Sequence, residues 1–220
     1  MKLTKKFLLV LLILIGIFVL IFIRLFTQYL KINITPVNTP IISAEAVPIT
    51  LDATDLPLGN PGAPHTIVEF GAIGCSNCTK LNYQLTNFVS SHPTKIRLFW
   101  KDAPVYGLFK RDYTLAHQAV YCAGKQGQLW KFLELAMQAK GALDEPALTK
   151  IAEGLKMDTL AWWRCSNSDE AKEKIKASAA LAANLGVSKL PAIFIDNHYI
   201  DLSSGLDLND LLLQLFKNDL

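Results

Sequence analysis

Residues Phe7 to Ile23 read FLLVLLILIGIFVLIFI, seventeen positions of which only Gly16 is not strongly apolar. A segment with no polar face cannot lie on the surface of a water-soluble fold; it must be buried in a core or in a bilayer. At about 1.5 Å per helical residue the run spans most of a hydrocarbon layer, and it reaches Phe26 if Arg24 extends toward the headgroups. Lys2, Lys5 and Lys6 precede it, so the positive-inside bias holds the N-terminus in the cytoplasm and sends the rest across. A cleaved signal peptide is the rival reading. Its small-x-small site should follow the apolar core closely, yet RLFTQYLK follows, and the first such triplet is Ala44-Glu45-Ala46. The expectation is therefore an uncleaved anchor over residues 1–26.

This segment also distorts the charge balance. The net charge of +3 includes five basic residues (Lys2, Lys5, Lys6, Arg24, Lys31) and no acidic one within the first 31 positions, leaving 17 basic against 19 acidic in the remainder. A nearly neutral body without a Lys/Arg stripe offers no footprint for nucleic acid. With 51% apolar and 19% charged residues the 220-residue chain is no disordered polyelectrolyte, and beyond the anchor it is long enough for one domain.

Six of the ten prolines (Pro36, Pro40, Pro48, Pro57, Pro61, Pro64) fall between residues 27 and 64, which argues against helix or central strand there. Residues 27–54 read as a tether. If about 25 of them are extended at about 3.1 Å each, the domain stands up to roughly 80 Å from the bilayer. The alternative is that part of the stretch, such as Val47 to Leu51, packs as an edge strand.

The domain is expected over residues 55–220. Thr66-Ile67-Val68-Glu69-Phe70 is a β-prone run that leads through Gly71-Ala72-Ile73-Gly74 into Cys75-Ser76-Asn77-Cys78. Leu81, Leu85, Phe88 and Val89 then recur at helical spacing. His92-Pro93 ends that helix, Lys95 to Lys101 reads as a second strand, and the unit should be a parallel crossover. From about residue 112 to 185 the pattern is helical, with about five segments and Ser168 or its neighbours capping the last. The β signal returns at Ala192 to Ile195 and His198 to Ile200, before a terminal helix from about Asp207. The helical block is thus inserted within one α/β layer system.

The position of Cys75-x-x-Cys78 matters more than its spacing. A sulfur at a helix N-terminus meets unpaired amides and the positive end of the dipole, which favour thiolate over thiol. The second sulfur, one turn inward, can attack a mixed disulfide formed at the first. Structural zinc is the competing reading, but it needs a second knuckle or a close His pair; only Cys122 and Cys165 remain, at unusual spacing. Glu69, flanked by apolar Val68 and Phe70, reads either as a buried proton acceptor for Cys78 or as an edge-strand acid facing solvent. Lys95, Arg97 and Lys101 on the neighbouring strand are a counter-charge for it or plain surface charges. Pro191 at the start of a strand is punctuation, or a cis peptide leaving a backbone edge free for an extended peptide. Cys122 and Cys165 lie in two helical segments. In an oxidising compartment they are expected to pair, the alternative being two separate buried thiols.

Together these features resemble the DsbA-like branch of the thioredoxin superfamily over most of residues 55–217. The resemblance is carried by Gly59-Asn60-Pro61-x-Ala63-Pro64, by Val68-Glu69-Phe70 ahead of the Cys-x-x-Cys, by Tyr121-Cys122-Ala123-Gly124-Lys125-Gln126-Gly127, and by Leu185-Gly186-Val187 approaching Pro191. It implies an α/β thioredoxin-like fold with an inserted helical domain behind one transmembrane helix. It also implies a cis peptide at Pro191, with Leu190 and Pro191 meeting substrate, and a buried acid at Glu69. Three departures stand out: Ser76-Asn77 replaces Pro-His, Leu190 replaces Thr or Val, and the small residues Gly71, Ala72 and Gly74 replace aromatics. The redox potential and the substrate groove should differ accordingly.

The expected activity is thiol:disulfide oxidoreduction on the outer side of a bacterial cytoplasmic membrane, through Cys75, Cys78 and Glu69 and without cofactor or metal. The expected substrates are unfolded secreted proteins with free thiols. The resemblance implies reoxidation by a quinone-linked membrane partner of the DsbB or vitamin K epoxide reductase type. The same centre run backward gives a reductase or isomerase, and a redox-inert chaperone or binding module is a rival of another class.

Overall fold

The computed structural model describes residues 5–33, 42–43, 45–104, 113–139, 143–202 and 207–220. Lys2, Pro36, Pro40 and Ala44, and the expected start of the helical block at residue 112, lie outside them. The chain divides into two units, Met1–Thr39 and Pro40–Leu220. The first unit is the helix α1 (Lys5–Asn33), which runs seven residues past Phe26 because no proline interrupts it before Pro36. Its stretch Val10–Gln28 is long and apolar enough to cross a bilayer, and the described side chains along it are exposed.

The second unit is built on a four-stranded sheet in the order β2-β1-β3-β4, comprising β1 (His65–Gly71), β2 (Ile96–Asp102), β3 (Ala192–Ile195) and β4 (His198–Ile200). β1 pairs parallel with β2, while β3 runs antiparallel to both β1 and β4. Between β1 and β2 lies α2 (Ser76–Ser91). Between β2 and β3, where about five helices were expected, the described residues form five: α3 (Thr114–Gly124), α4 (Leu129–Gln138), α5 (Glu145–Gly154), α6 (Thr159–Ser166) and α7 (Asp169–Asn184), followed after β4 by α8 (Leu208–Leu215).

Alternation along the strands sends side chains to two faces. Ile67, Leu98, Ile193 and Ile195 point toward Leu81 and Leu85 of α2 and Leu211 and Leu212 of α8. Val68, Phe70, Phe99 and Phe194 point the other way, toward Ala182 and Leu185 at the end of α7. The inserted helices close around Phe132, Leu148 and Trp162, and this third cluster extends to Ile73, Cys78 and Trp100. Residues 116–124 of α3 are all buried, so no polar stripe was available to mark a solvent face. Side-chain caps start the later helices: Asp144 for α5, Asp158 for α6, Ser168 for α7 and Asp207 for α8.

The stretch read as a free tether is docked from Ile42 onward. Ile42 bridges to Ile200, the Ser43 N–H donates to the Tyr199 carbonyl at 3.0 Å, and the Val47 N–H donates to the Asn197 carbonyl at 2.8 Å. At the opposite edge Leu58 and Leu98 exchange backbone hydrogen bonds at 2.8 and 2.9 Å. Isolated bridges of this kind use donors between the prolines and need no continuous ladder. They cover both open edges of a short sheet. Buried ion pairs fix the same segment: Asp55 accepts from Lys101 at 2.8 Å and from Lys174 at 3.2 Å.

Candidate active site

The site begins where β1 ends. Gly71 to Gly74 carry the chain off the sheet, and Gly74 takes φ +85°, a left-handed conformation that favours glycine. A Cβ at Gly74 would meet the Tyr113 ring, and one at Gly71 would meet the Trp100 ring. The small residues before the Cys-x-x-Cys therefore make room for aromatic rings supplied from β2 and from the start of α3.

Cys75 is the N-cap of α2, with φ −94° and ψ 111°, and its Sγ accepts the Cys78 backbone N–H at 3.2 Å. The sulfur thus sits on the positive end of the helix, where a thiolate is stabilised. Cys75 and Cys78 are joined as a disulfide with Cα atoms 5.2 Å apart. Cys75 is half-buried whereas Cys78 is fully buried, so only the first sulfur can be approached from solution.

Glu69 belongs to β1, whose neighbours on either side are β2 and β3, opposite Trp100 and Ile193. A central strand excludes the edge-acid reading, and the residue is fully buried. Burial drives its carboxyl up from 4.5 to about 8; a hydrogen bond from Asn82, one helical turn beyond Cys78, offsets part of that. Asn82 Nδ2 donates to Glu69 Oε2 at 2.7 Å, while Oε1 has no partner among the described residues. The nearby cations do not serve it. Lys101 points to the opposite face and is paired with Asp55, Lys95 is exposed, and Arg97 donates to Thr66 Oγ1 and the Pro61 carbonyl.

The Leu190-Pro191 peptide is cis. Both residues are half-buried; Leu190 packs against the same cluster as Cys75, and Pro191 lines a groove with Asn77, Lys80, Gln84 and Leu202. The fold therefore brings together Cys75, Cys78, Glu69, Leu190 and Pro191 from three sequence regions. Cys122 and Cys165 form a second disulfide, linking α3 to α6 with Cα atoms 5.8 Å apart, within the same hydrophobic cluster that Cys78 joins.

Two features escaped sequence reasoning. Asn82 lies on the inward face of α2 among Cys78, Leu81 and Leu85; a lone amide in an apolar stripe was the available signal. His117, fully buried in α3, receives the Ile73 N–H on Nε2 at 3.3 Å. That acceptor role places its proton on Nδ1, which donates to Asp102 Oδ1 at 2.7 Å, where Trp100 Nε1–H also donates at 2.9 Å. This network anchors the loop two residues before Cys75, and its members are too far apart in sequence to be associated by pattern.

Comparison with known proteins agrees with this geometry. A thioredoxin-like oxidoreductase from Silicibacter pomeroyi has a similar solved structure, with TM-score 0.63 and 26% identity, covering 76% of this chain and 94% of that one. The thiol-disulfide exchange protein α-DsbA2 from Wolbachia pipientis superposes with TM-score 0.63 at 22% identity, covering 76% and 88%. The Na(+)/H(+) antiporter NhaA 1 of Salinispora arenicola is 30% identical over 96 residues, 44% of this chain but only 14% of that protein. The sequence model described as Thioredoxin matches residues 52–212, a stretch that takes in the sheet, the Cys-x-x-Cys turn and the inserted helices. A match over most of the chain, on a fold that delivers paired cysteines to a helix N-terminus, makes this protein a member of the thioredoxin family.

Proposed function

We propose that the protein is a thiol:disulfide oxidoreductase that forms disulfides in unfolded secreted proteins, with its catalytic domain held on the outer side of the cytoplasmic membrane by α1. The observation that carries the reading is the asymmetry of the two sulfurs: Cys75 is accessible on a helix N-terminus, and Cys78 is sealed beneath it with a buried acid nearby on the sheet. A substrate thiolate attacks Cys75, the S–S bond breaks, and Cys78 leaves with the electron pair, taking a proton from neutral Glu69. A second substrate thiolate then attacks the substrate sulfur of the mixed disulfide and expels Cys75. The substrate is oxidised by two electrons and the enzyme is left as a dithiol. Pro191 lines the groove beside Asn77, and Leu190 packs against the same cluster as Cys75; an extended peptide can lie there against the half-buried sulfur.

Reoxidation reverses the sulfur chemistry. Cys75 attacks a disulfide of a membrane partner, for which a quinone-linked protein of the DsbB or vitamin K epoxide reductase type is the proposed class. Ionised Glu69 deprotonates Cys78, which then resolves the mixed disulfide. The Cys122–Cys165 bridge takes no part and acts as a staple for the helical block.

The test is direction of flow. The oxidised protein, mixed with a reduced unfolded protein, should generate substrate disulfides in proportion to its own loss of Cys75–Cys78, and its reduction potential should lie above that of the glutathione pool. A potential well below that pool, with reduction of substrate disulfides instead, would assign the centre to a reductase.

A further inference from the structure

The turn that delivers Cys75 to α2 is held at several points. The Gly71 carbonyl accepts the Ala103 N–H at 2.8 Å, and the Cys75 N–H donates back to the Ala72 carbonyl at 3.3 Å. Between them the buried Ile73 gives its N–H to the inserted helical block, on His117 Nε2 at 3.3 Å. Only Gly74 separates Ile73 from Cys75, and the Tyr113 ring packed against it limits its movement. Fixing Ile73 therefore fixes where Cys75 meets the N-terminus of α2.

The group that holds Ile73 is a costly one to bury. His117 is fully buried, and Asp102, which takes its Nδ1–H at 2.7 Å, is buried too, with no Lys or Arg paired to it among the described residues. A buried carboxylate without a cation lowers stability, and a backbone carbonyl or a hydroxyl would satisfy one amide without it. What the pair adds is orientation. With Nδ1–H tied to Asp102, and Asp102 Oδ1 itself held by Trp100 Nε1–H at 2.9 Å, the ring presents only an acceptor to Ile73. The Trp100 ring also covers Gly71, so the network meets the turn at its start and again beside the cysteine.

We propose that His117 is a positioning residue of the redox centre: through the Ile73 amide it holds Cys75 where the helix N-terminus stabilises a thiolate, and so sets the reactivity and potential of the Cys75–Cys78 pair. The Cys75 Sγ accepts the Cys78 N–H at 3.2 Å, a contact that depends on the backbone of Cys75 at the N-cap. Releasing Ile73 lets the sulfur drift from that N–H, and the thiolate and the reduced form lose stabilisation together. Asp102 acts one step further back, by fixing the tautomer. The inference rests on the reading of Cys75 as the reactive sulfur and not on the direction of electron flow.

Two substitutions separate the contacts of the imidazole. His117→Gln can place Oε1 where Nε2 now accepts from Ile73, whereas His117→Asn is one carbon shorter, can still donate to Asp102 and cannot reach Ile73. In the full chain in detergent, peptide mass spectrometry reads the pH dependence of Cys75 alkylation in the reduced protein and the equilibrium of Cys75–Cys78 with glutathione. His117→Asn should raise the Cys75 midpoint by about one unit, about tenfold less thiolate below it, and move the glutathione equilibrium several-fold toward the disulfide. His117→Gln should stay within about twofold of the parent in both. Leu148→Ala, which opens the core of the same cluster on α5, should lower stability and move neither reading. No shift in His117→Asn, an equal shift in His117→Gln, or an equal shift in Leu148→Ala would overturn the proposal. Should the His117 variants not fold, nitrogen-15 spectra of the histidine-labelled parent decide, the His117 signal being assigned by replacing the other histidines one at a time. An unprotonated Nε2 is expected, and a protonated one overturns the proposal. Neither reading needs a substrate, so a protein that passed this test without oxidising unfolded proteins would defeat the functional reading and leave the role of His117 standing.

Discussion

Replacing Glu69 by Gln should change how stability depends on pH, and the sign follows from burial. In the unfolded chain the carboxyl loses its proton near 4.5; in the folded chain it holds it until about 8. Between those values the native state binds one proton more than the unfolded state, so stability falls as pH rises and levels off once both forms are ionised. At about 1.4 kcal/mol per unit, the interval amounts to on the order of 5 kcal/mol as a ceiling, lowered if water or a shifted side chain relieves the ion. Gln cannot ionise, so the slope should vanish. The amide keeps an acceptor for Asn82 but puts an N–H₂ where Oε1 now lacks a partner, a pH-independent cost of about 1–3 kcal/mol. The variant should therefore be less stable than the parent near pH 5 and more stable above about pH 8, with crossing curves. Urea unfolding of the full chain in detergent, disulfides intact, measures this at constant m-value. Parent stability that is flat or rising over that range, or a variant that keeps the slope, would refute the assignment of a dry, protonated acid.

Two further outcomes follow from contacts outside the centre. Replacing both Cys122 and Cys165 by Ala removes a bridge of sequence separation 43 and should destabilise the oxidised protein by up to about 4 kcal/mol, read as a fall in the urea midpoint, while leaving the Cys75–Cys78 chemistry in place. Asp55→Ala strands the buried Lys101 ammonium and should cost about 3 kcal/mol or more in urea unfolding, whereas Lys101→Met should cost much less because it leaves no unpaired buried cation.

The local parts of the site were legible because their determinants are contiguous. A β run, a glycine-rich turn and a helical repeat bracket Cys75 and Cys78, and the structure places them at β1, the turn and α2 as that order requires. Glu69 was ambiguous because burial of a strand depends on what pairs with its two sides, and β3 is contributed from more than a hundred residues away. The same non-locality hid Lys101, whose partner Asp55 lies 46 positions upstream, and the His117–Asp102 pair. Proline content between residues 27 and 64 argued against helix or central strand there, yet α1 continues to Asn33, ahead of the first proline; it also carried no information on docking, since single backbone bridges to β4 and β2 need neither helix nor ladder. The helical block was readable as helices from its periodicity. How its cluster reaches Cys78 was not, because that contact is made by packing between elements.

The central claim is that Cys75 meets substrate and Cys78 resolves, and trapping tests it most directly. The Cys78→Ala variant, expressed in the full chain and recovered after acid quenching of free thiols, should carry envelope proteins as mixed disulfides at Cys75, which peptide mass spectrometry without reductant can map. The Cys75→Ala variant should carry none, because the buried Cys78 is out of reach. Mixed disulfides on Cys78 in the absence of Cys75, with none on Cys75 in the absence of Cys78, would contradict the account.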